Sequence, residues 1–474
     1  MSPSTQQAPF LSRRRRFWAD LRATFKGSHQ DYTSGSIGRA ITLLAIPMVL
    51  EMLMQSVFGV VDVFFVGKLG ADAVAVVGLT ETMLVLVLAV GLGLSIATTA
   101  MVARRIGEKD TEGAGVAAIQ ALVAGGAISI PISVLGIVFA PSMLGLMGAS
   151  DSVIETGWGY CAIMFGTNAT ILFLFLINAI FRGAGDAVLA MRALWLANIL
   201  NMVLDPFLIF GWGPFPEMGV AGAAVATSIG RGLGVVYQLY VLLRGSSRIH
   251  LFLEQVRVDL AVMRRLIRVS LPGMFQYLVA TLSWMFLFRI MADFGSDALA
   301  GYTIAIRILV FALLPSWGMG NAAATLVGQN LGAGKPDRAE RSVWITSFGN
   351  MVFLAVVALM MLLFAEPLMR LFTEEAAVIA VGEDCLRIIS YTYVLFAFGL
   401  VTVQAFNGAG DTTTPTLINL VCYWFLQIPL AYLLAHPVGM GTSGVFASVA
   451  ISQAVLAVIG IVVFRLGYWK KKAI

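Results

Sequence analysis

Apolar residues run along this chain in long unbroken stretches, not at the 3.6-residue spacing of a helix with one wet face. Runs of about 20 or more residues, each closed by charge, Gly or Pro, occur twelve times. Roughly 20 apolar residues is what an α-helix needs to cross the hydrocarbon core of a bilayer. The runs fall at 41–66, 72–101, 116–140, 155–181, 188–210 and 219–243, then at 267–292, 298–327, 342–365, 378–406, 412–435 and 440–466. The predicted fold is an all-α polytopic membrane protein.

Composition sharpens this. Of 474 residues, 59% are hydrophobic and 12% charged, with a mean hydropathy of +0.88. No soluble domain hides that much apolar surface, so lipid is the solvent for most of the chain. The formal charge of +5 is not gathered into a nucleic-acid patch; the basic residues sit in connectors. Placing the N-terminus in the cytoplasm puts 24 Lys and Arg in inner segments and two, Lys68 and Arg370, in outer loops. That asymmetry predicts a multi-pass protein of a bacterial-type plasma (inner) membrane with both termini cytoplasmic. The expected divisions are a basic leader 1–40, a first lobe 41–243, a linker 244–266, a second lobe 267–466 and a basic tail 467–474. Residues 250–269 of the linker region read as a basic amphipathic helix on the inner leaflet. Cys161, Cys385 and Cys422 lie inside apolar runs and form no disulfide framework. His29, His250 and His436 are isolated, so neither a metal cluster nor a cofactor is expected. Enzymatic chemistry lacks a dyad. The expected partners are the bilayer and small molecules, with no nucleic acid and the chain acting as a monomer.

The two halves repeat each other. Pro47 and Pro272, Gly70 and Gly295, Gly107 and Gly332, and RGAGD (182–186) and NGAGD (407–411) are all 225 residues apart. Six spans per half is an even number, so both halves run the same way. They become two six-helix bundles related by a pseudo-two-fold along the membrane normal, with a cavity between them.

The polar residues break that symmetry. Glu51 and Asp62 stand eleven residues apart in the first span, on nearly one face and roughly 16 Å apart along it. Asn198, Asn201 and Asp205 form one stripe on the fifth span. Across the offset Glu51 becomes Gln276, Asp62 Leu287, Glu81 Ile306, Asn201 Leu426 and Asp205 Leu430. The acidic set therefore belongs to the first half alone. With Asn178 of the fourth span and Thr227 and Arg231 of the sixth, it makes an oxygen-rich pocket that can hold a proton between carboxyls, or Na⁺ on Asp62, Asn201 and Asp205. The same residues can also be a static hydrogen-bond network joining three helices. Pro47 is a bend point, and Gln276 and Arg289 of the second half are gating or substrate candidates. GQNLGAGKP around Lys335 fails as a phosphate loop, because Pro336 stands where Ser or Thr is required. The chain thus offers no nucleotide site, and an ion gradient is the expected energy source.

These residues resemble the multidrug and toxic compound extrusion (MATE) family over the whole membrane region. The matching pieces are VVDVFFVGKLGADAVAVVGL, FRGAGD, NILNMVLDPFLIFG, GVAGAAVATS and VGQNLGAGKPDRA. The resemblance implies export of cationic or amphipathic compounds in exchange for H⁺ or Na⁺. Its NorM-type branch places a Glu in the seventh span and an Asp in the tenth, where this chain has Ala280 and Phe396. Its DinF-type branch uses an Asp in the first span and an Asn and Asp in the fifth, matched by Asp62, Asn201 and Asp205, with Thr227 as a fourth member and Pro47 as the first-span proline. The resemblance thus favours proton coupling in the first lobe. The alternative is a lipid-linked saccharide flippase of the wider superfamily, which would present several cations to its cavity.

Overall fold

The computed structural model describes residues 18, 19, 22, 25, 31–245, 247–249, 258–472 and 474. The arginine run 13–16, His29, His250 and linker positions 250–257 lie outside the described residues. The first lobe holds α1 (Ile37–Gly67), α2 (Ala71–Gly107), α3 (Thr111–Leu146), α4 (Asp151–Gly166), α5 (Asn168–Ala184), α6 (Ala187–Phe210) and α7 (Val220–Arg244). The second holds α8 (Leu260–Ala292), α9 (Ser296–Gly332), α10 (Pro336–Arg370), α11 (Ala376–Ser390), α12 (Tyr393–Gly408), α13 (Thr413–Asn419), α14 (Ile428–Ala435) and α15 (Thr442–Leu466). Among the described residues ten spans are long and apolar enough to cross a membrane unaided, and the bent pairs α4–α5 and α11–α12, each taken as one span, bring the number to the predicted twelve.

Two features depart from a plain reading of hydropathy. The helices run past the apolar core: α2 and α9 each have 37 residues. Leu260–Val269, expected to lie flat on the membrane surface, is the first part of α8, which starts on an Asp259 cap accepting from Ala261 and Val262 N–H. The fourth and tenth spans are also broken, by 40° and 63°. The breaks come at Thr167 and at Tyr391–Thr392, and the two threonines are 225 residues apart. Each threonine hydroxyl donates to a carbonyl of the preceding turn, Ile163 at 2.7 Å and Ile389 at 3.1 Å, which also accepts that threonine's own N–H. Each also reaches the last span of its lobe, at Ser228 and Gln453. In the eleventh span, Leu420–Gln427 widens to a π-helix just before Pro429, whose missing N–H breaks the regular ladder.

The duplicated scaffold meets itself across the pseudo-two-fold. A Cβ on Gly107 would sit 2.0 Å from the Gln329 carbonyl oxygen, and one on Gly332 2.0 Å from that of Arg104. Arg104 and Gln329 are themselves a repeat pair, so one contact has been made twice. The same holds for Gly93 against Met274 and Gly318 against Met48–Val49. Only glycine admits such backbone approach between helices.

All these crossings lie toward the end of the bundle where Thr33 and Lys472 are held. There Lys335 donates to the Thr33 carbonyl (2.9 Å) and Arg104 to that of Lys472 (2.8 Å). Asp31 accepts from Thr33 and Ser34, and the Thr33 hydroxyl bond leads in holding its carboxyl down to about 2. We call this end the basic face. Hydrophobic clusters shared between the lobes lie on this side: α1 residues Ala40–Met48 pack with Ala322 and Leu326, and α8 residues Leu266 and Val269 join first-lobe residues. Toward the far face each cluster keeps to one lobe, Val66–Ala224 in the first and Leu287–Val449 in the second. The lobes are thus sealed at the basic face and part toward the far face.

Filling the seam should pry it open. Gly107→Val is expected to cost about 1–3 kcal/mol by overpacking. It should also raise maleimide labelling of a cysteine replacing Ala322, buried in the seam; unchanged labelling and thermal stability would contradict the seal.

Candidate functional site

The polar residues of the first lobe separate into two levels along α1. Glu51 is the nearer to the basic face. Its Oε1 accepts from Arg182 at 3.0 Å and from Asn178 at 3.3 Å. The Asn178 carbonyl oxygen in turn accepts from Gln238 of α7 at 2.6 Å. Beside Glu51, Trp195 donates to the Leu50 carbonyl at 3.1 Å, and one turn farther along Asn198 donates to Gln55 at 3.4 Å. These bonds fasten α1 to α5 and α6.

The second level lies toward the far face and is short of donors. Asp205 is wholly buried, and neither of its carboxyl oxygens has a hydrogen-bond partner. Asn201, one turn before it on α6, donates its amide to Thr227 of α7 at 2.8 Å, which leaves its own carbonyl oxygen buried and unpartnered. Pro206 follows Asp205 inside the helix and deprives the Met202 carbonyl of its N–H partner. Asp62 of α1 lies within electrostatic reach of Asp205. Asp62 forms no hydrogen bond or ion pair with a described residue, while Arg231 of α7 and the exposed Glu81 of α2 share its field. Tyr160 of α4, 5% exposed, stands in the field of all three carboxyls and of Arg231.

Charge decides what this group can do. The Asp62–Asp205 pair has Arg231 as the guanidinium near it, Arg307 reaching only Glu81, and three buried oxygens (both of Asp205 and one of Asn201) accept nothing. Buried acceptors without donors are rare and costly. Such a group gains by taking up a positive species, either a proton on a carboxyl or a hard cation among oxygens. Among the described residues no cluster of three or more His, Cys, Asp or Glu side chains has metal-binding geometry.

Several sequence expectations are relocated. Asp62, Asn201, Asp205, Thr227 and Arg231 share one region, as read. Asn178 does not: lying eleven residues past the Thr167 break, it is carried toward the basic face and bonds Glu51. Glu51 itself is ion-paired, and Asn198 links α6 to Gln55. Pro47 is buried within an unbroken α1. Gln276 is half-buried with an unpartnered Oε1. Arg289, taken as a gating or substrate candidate, is instead 75% exposed and paired at 2.7 Å with Asp293, the residue that caps the end of the same helix. Tyr160 escaped the sequence reading altogether, since one tyrosine in an apolar run looks like packing. Arg307 of α9 comes within electrostatic reach of Glu81 from the opposite lobe.

Two lobes of six spans, sealed at one face and carrying a buried acidic group in one lobe, define a membrane transporter. The MatE family profile matches residues 47–207 and 272–433, one segment in each lobe. The chain belongs to that family, the MATE transporters, whose members are not enzymes. It is 25% identical to the probable multidrug resistance protein YoeA of Bacillus subtilis, covering 94% of this chain and 97% of the relative. It is 27% identical to the probable multidrug resistance protein NorM of Thermotoga maritima, covering 92% and 94%. A solved structure described as the outward-facing conformation of a multidrug resistance MATE family transporter of the MOP superfamily superposes with a TM-score of 0.87. That match has 28% identity over 93% of this chain and 98% of the other.

Because the Asp205 carboxylate has no donor, replacing it with an amide removes a cost. Asp205→Asn is expected to be more stable than the parent by about 1–3 kcal/mol at alkaline pH, read by thermal unfolding in detergent. A variant markedly less stable would show that the carboxylate is a structural partner.

Proposed function

We propose that the protein is a secondary active multidrug antiporter. It exports cationic or amphipathic compounds across a plasma membrane, with its basic face toward the cytoplasm, in exchange for protons. The observation that carries this reading is the pair Asp62–Asp205, with both oxygens of Asp205 buried and unpartnered. A proton shared between two nearby carboxyls satisfies such a site without displacing Arg231. Na⁺ on Asp62, Asn201, Asp205 and the Thr227 hydroxyl is the second form the same oxygens allow. The relatives named as multidrug resistance proteins support the substrate class, and the parting of the lobes toward the far face supports release there.

The site lies in the first lobe, which supports a DinF-like mode: Ala280 and Phe396 offer no carboxyl in the second. Proton binding at Asp62–Asp205 from the far side favours one arrangement of α1, α6 and α7, and substrate favours the other. A ligand shifts such an equilibrium only through its differential affinity for the two states. The flippase alternative lacks its cation row, since Arg289 is bound to Asp293 at the exposed surface and Arg307 faces Glu81.

Proteoliposomes loaded with ethidium and given either a proton or a Na⁺ gradient test the proposal. Dye movement driven by the proton gradient and lost in Asp62→Asn is the expected result. Movement driven by Na⁺ alone would reassign the ion, and undiminished transport by Asp62→Asn would overturn the mechanism.

A further inference from the structure

We propose that the Glu51–Arg182 ion pair is the fulcrum through which the state of the acidic site reaches the seam between the lobes. Both residues are positioning residues, and the inference rests on the antiport reading above.

The argument begins with α1, which keeps two sets of neighbours. From Ala40 to Met48 it packs on α9 of the opposite lobe, against Ala322 and Leu326, and Gly318 of α9 approaches the Met48–Val49 backbone. From Leu50 onward its bonds go to its own lobe, through Trp195, Arg182, Asn178 and Asn198. Pro47 marks the change of neighbours, and Glu51 is the first charged anchor after it. Asp62 sits three turns farther along the same rigid helix.

Arg182 holds both sides. Its guanidinium binds Glu51, while its backbone carbonyl accepts the Thr325 hydroxyl of α9 at 3.1 Å. The next carbonyl, Gly183, accepts from Gln329 at 2.9 Å. One short segment of α5 therefore receives α1 through a side chain and the opposite lobe through its backbone. A shift of α1 at Asp62 is delivered to that segment through Glu51.

The second lobe supplies an internal control. At the repeat-related positions it has Gln276 and Asn407, and the duplicated scaffold packs there without charge. Asn407 bonds only to Gln404, at 2.8 Å. A buried ion pair gives up hydration on both partners and is seldom retained for stability, since well-packed neutral groups do as well. Glu51 and Arg182, with side chains 2% and 11% exposed, are kept in one lobe only, the lobe with the acidic site. The Glu51 Oε2 has no partner, so the pair is not a closed network and Glu51 retains an open acceptor.

The decisive variant gives the first lobe the second lobe's own solution, Glu51→Gln with Arg182→Asn. Each single change strands a buried charge and is expected to lower thermal stability, whereas the double variant is expected to recover it. In a background carrying Ala322→Cys, maleimide labelling is followed in membranes as the pH is lowered, beside ethidium binding and proton-driven ethidium transport. The expected double variant binds ethidium within about threefold of the parent but loses the pH response of labelling. Driven transport then falls by about tenfold or more, the size of a typical coupling between sites. A double variant that responds and transports like the parent overturns the proposal, as does one that cannot fold, because the charges would then be needed for packing. Asp62→Asn run alongside separates the two readings: if it keeps the parent's pH response, the ion-site reading fails whatever Glu51 and Arg182 do.

Discussion

A carboxyl group buried in a membrane protein with no hydrogen-bond donor cannot remain ionised and alone. Asp205 is such a group, and much of the first lobe can be understood as the means of holding it there. Pro206 opens the helix ladder beside it, Asn201 turns its donor away toward Thr227, and Asp62 adds a second carboxyl without adding a donor. Arg231 stands near enough to moderate the charge but forms no ion pair with either aspartate. The result is a site left incomplete, which is what a reversible proton or cation site requires.

The frame around this site is duplicated, and the duplication separates what folds the protein from what it does. Gly107 on Gln329 and Gly332 on Arg104 are one contact made twice. The breaks near Thr167 and Thr392 are likewise one device made twice. The acids, the Glu51–Arg182 pair and the Asn201–Thr227 bond occur once. The second lobe carries Gln276 and Asn407 at the positions of Glu51 and Arg182, so the duplicated scaffold is built there without charge.

Hydropathy and the 225-residue offset made the lobes, the spans and the first-lobe acids legible in the sequence, because lipid imposes length and apolarity and duplication leaves its register behind. What stayed hidden depended on three-dimensional depth. The threonines of the two breaks sit inside apolar runs, so a hydropathy window reads straight through the bend. Arg182 in FRGAGD looked like a connector charge, yet it is buried at the end of α5 and paired with Glu51. Asn178 and Thr227 looked like members of one pocket until the helices placed them at different levels. Tyr160 carried no pattern of its own. Arg289 stood out as an intramembrane cation because hydropathy carries the span to residue 292, where the helix does end, yet the side chain lies exposed in its last turn beside Asp293.

The most direct test of the central claim is proton release on substrate binding, measured with a pH-sensitive dye in weakly buffered detergent solution. The account predicts that ethidium binding to the parent protein releases protons and that Asp205→Asn binds ethidium without releasing them. Equal release from Asp205→Asn would place the exchanged proton elsewhere and contradict the account.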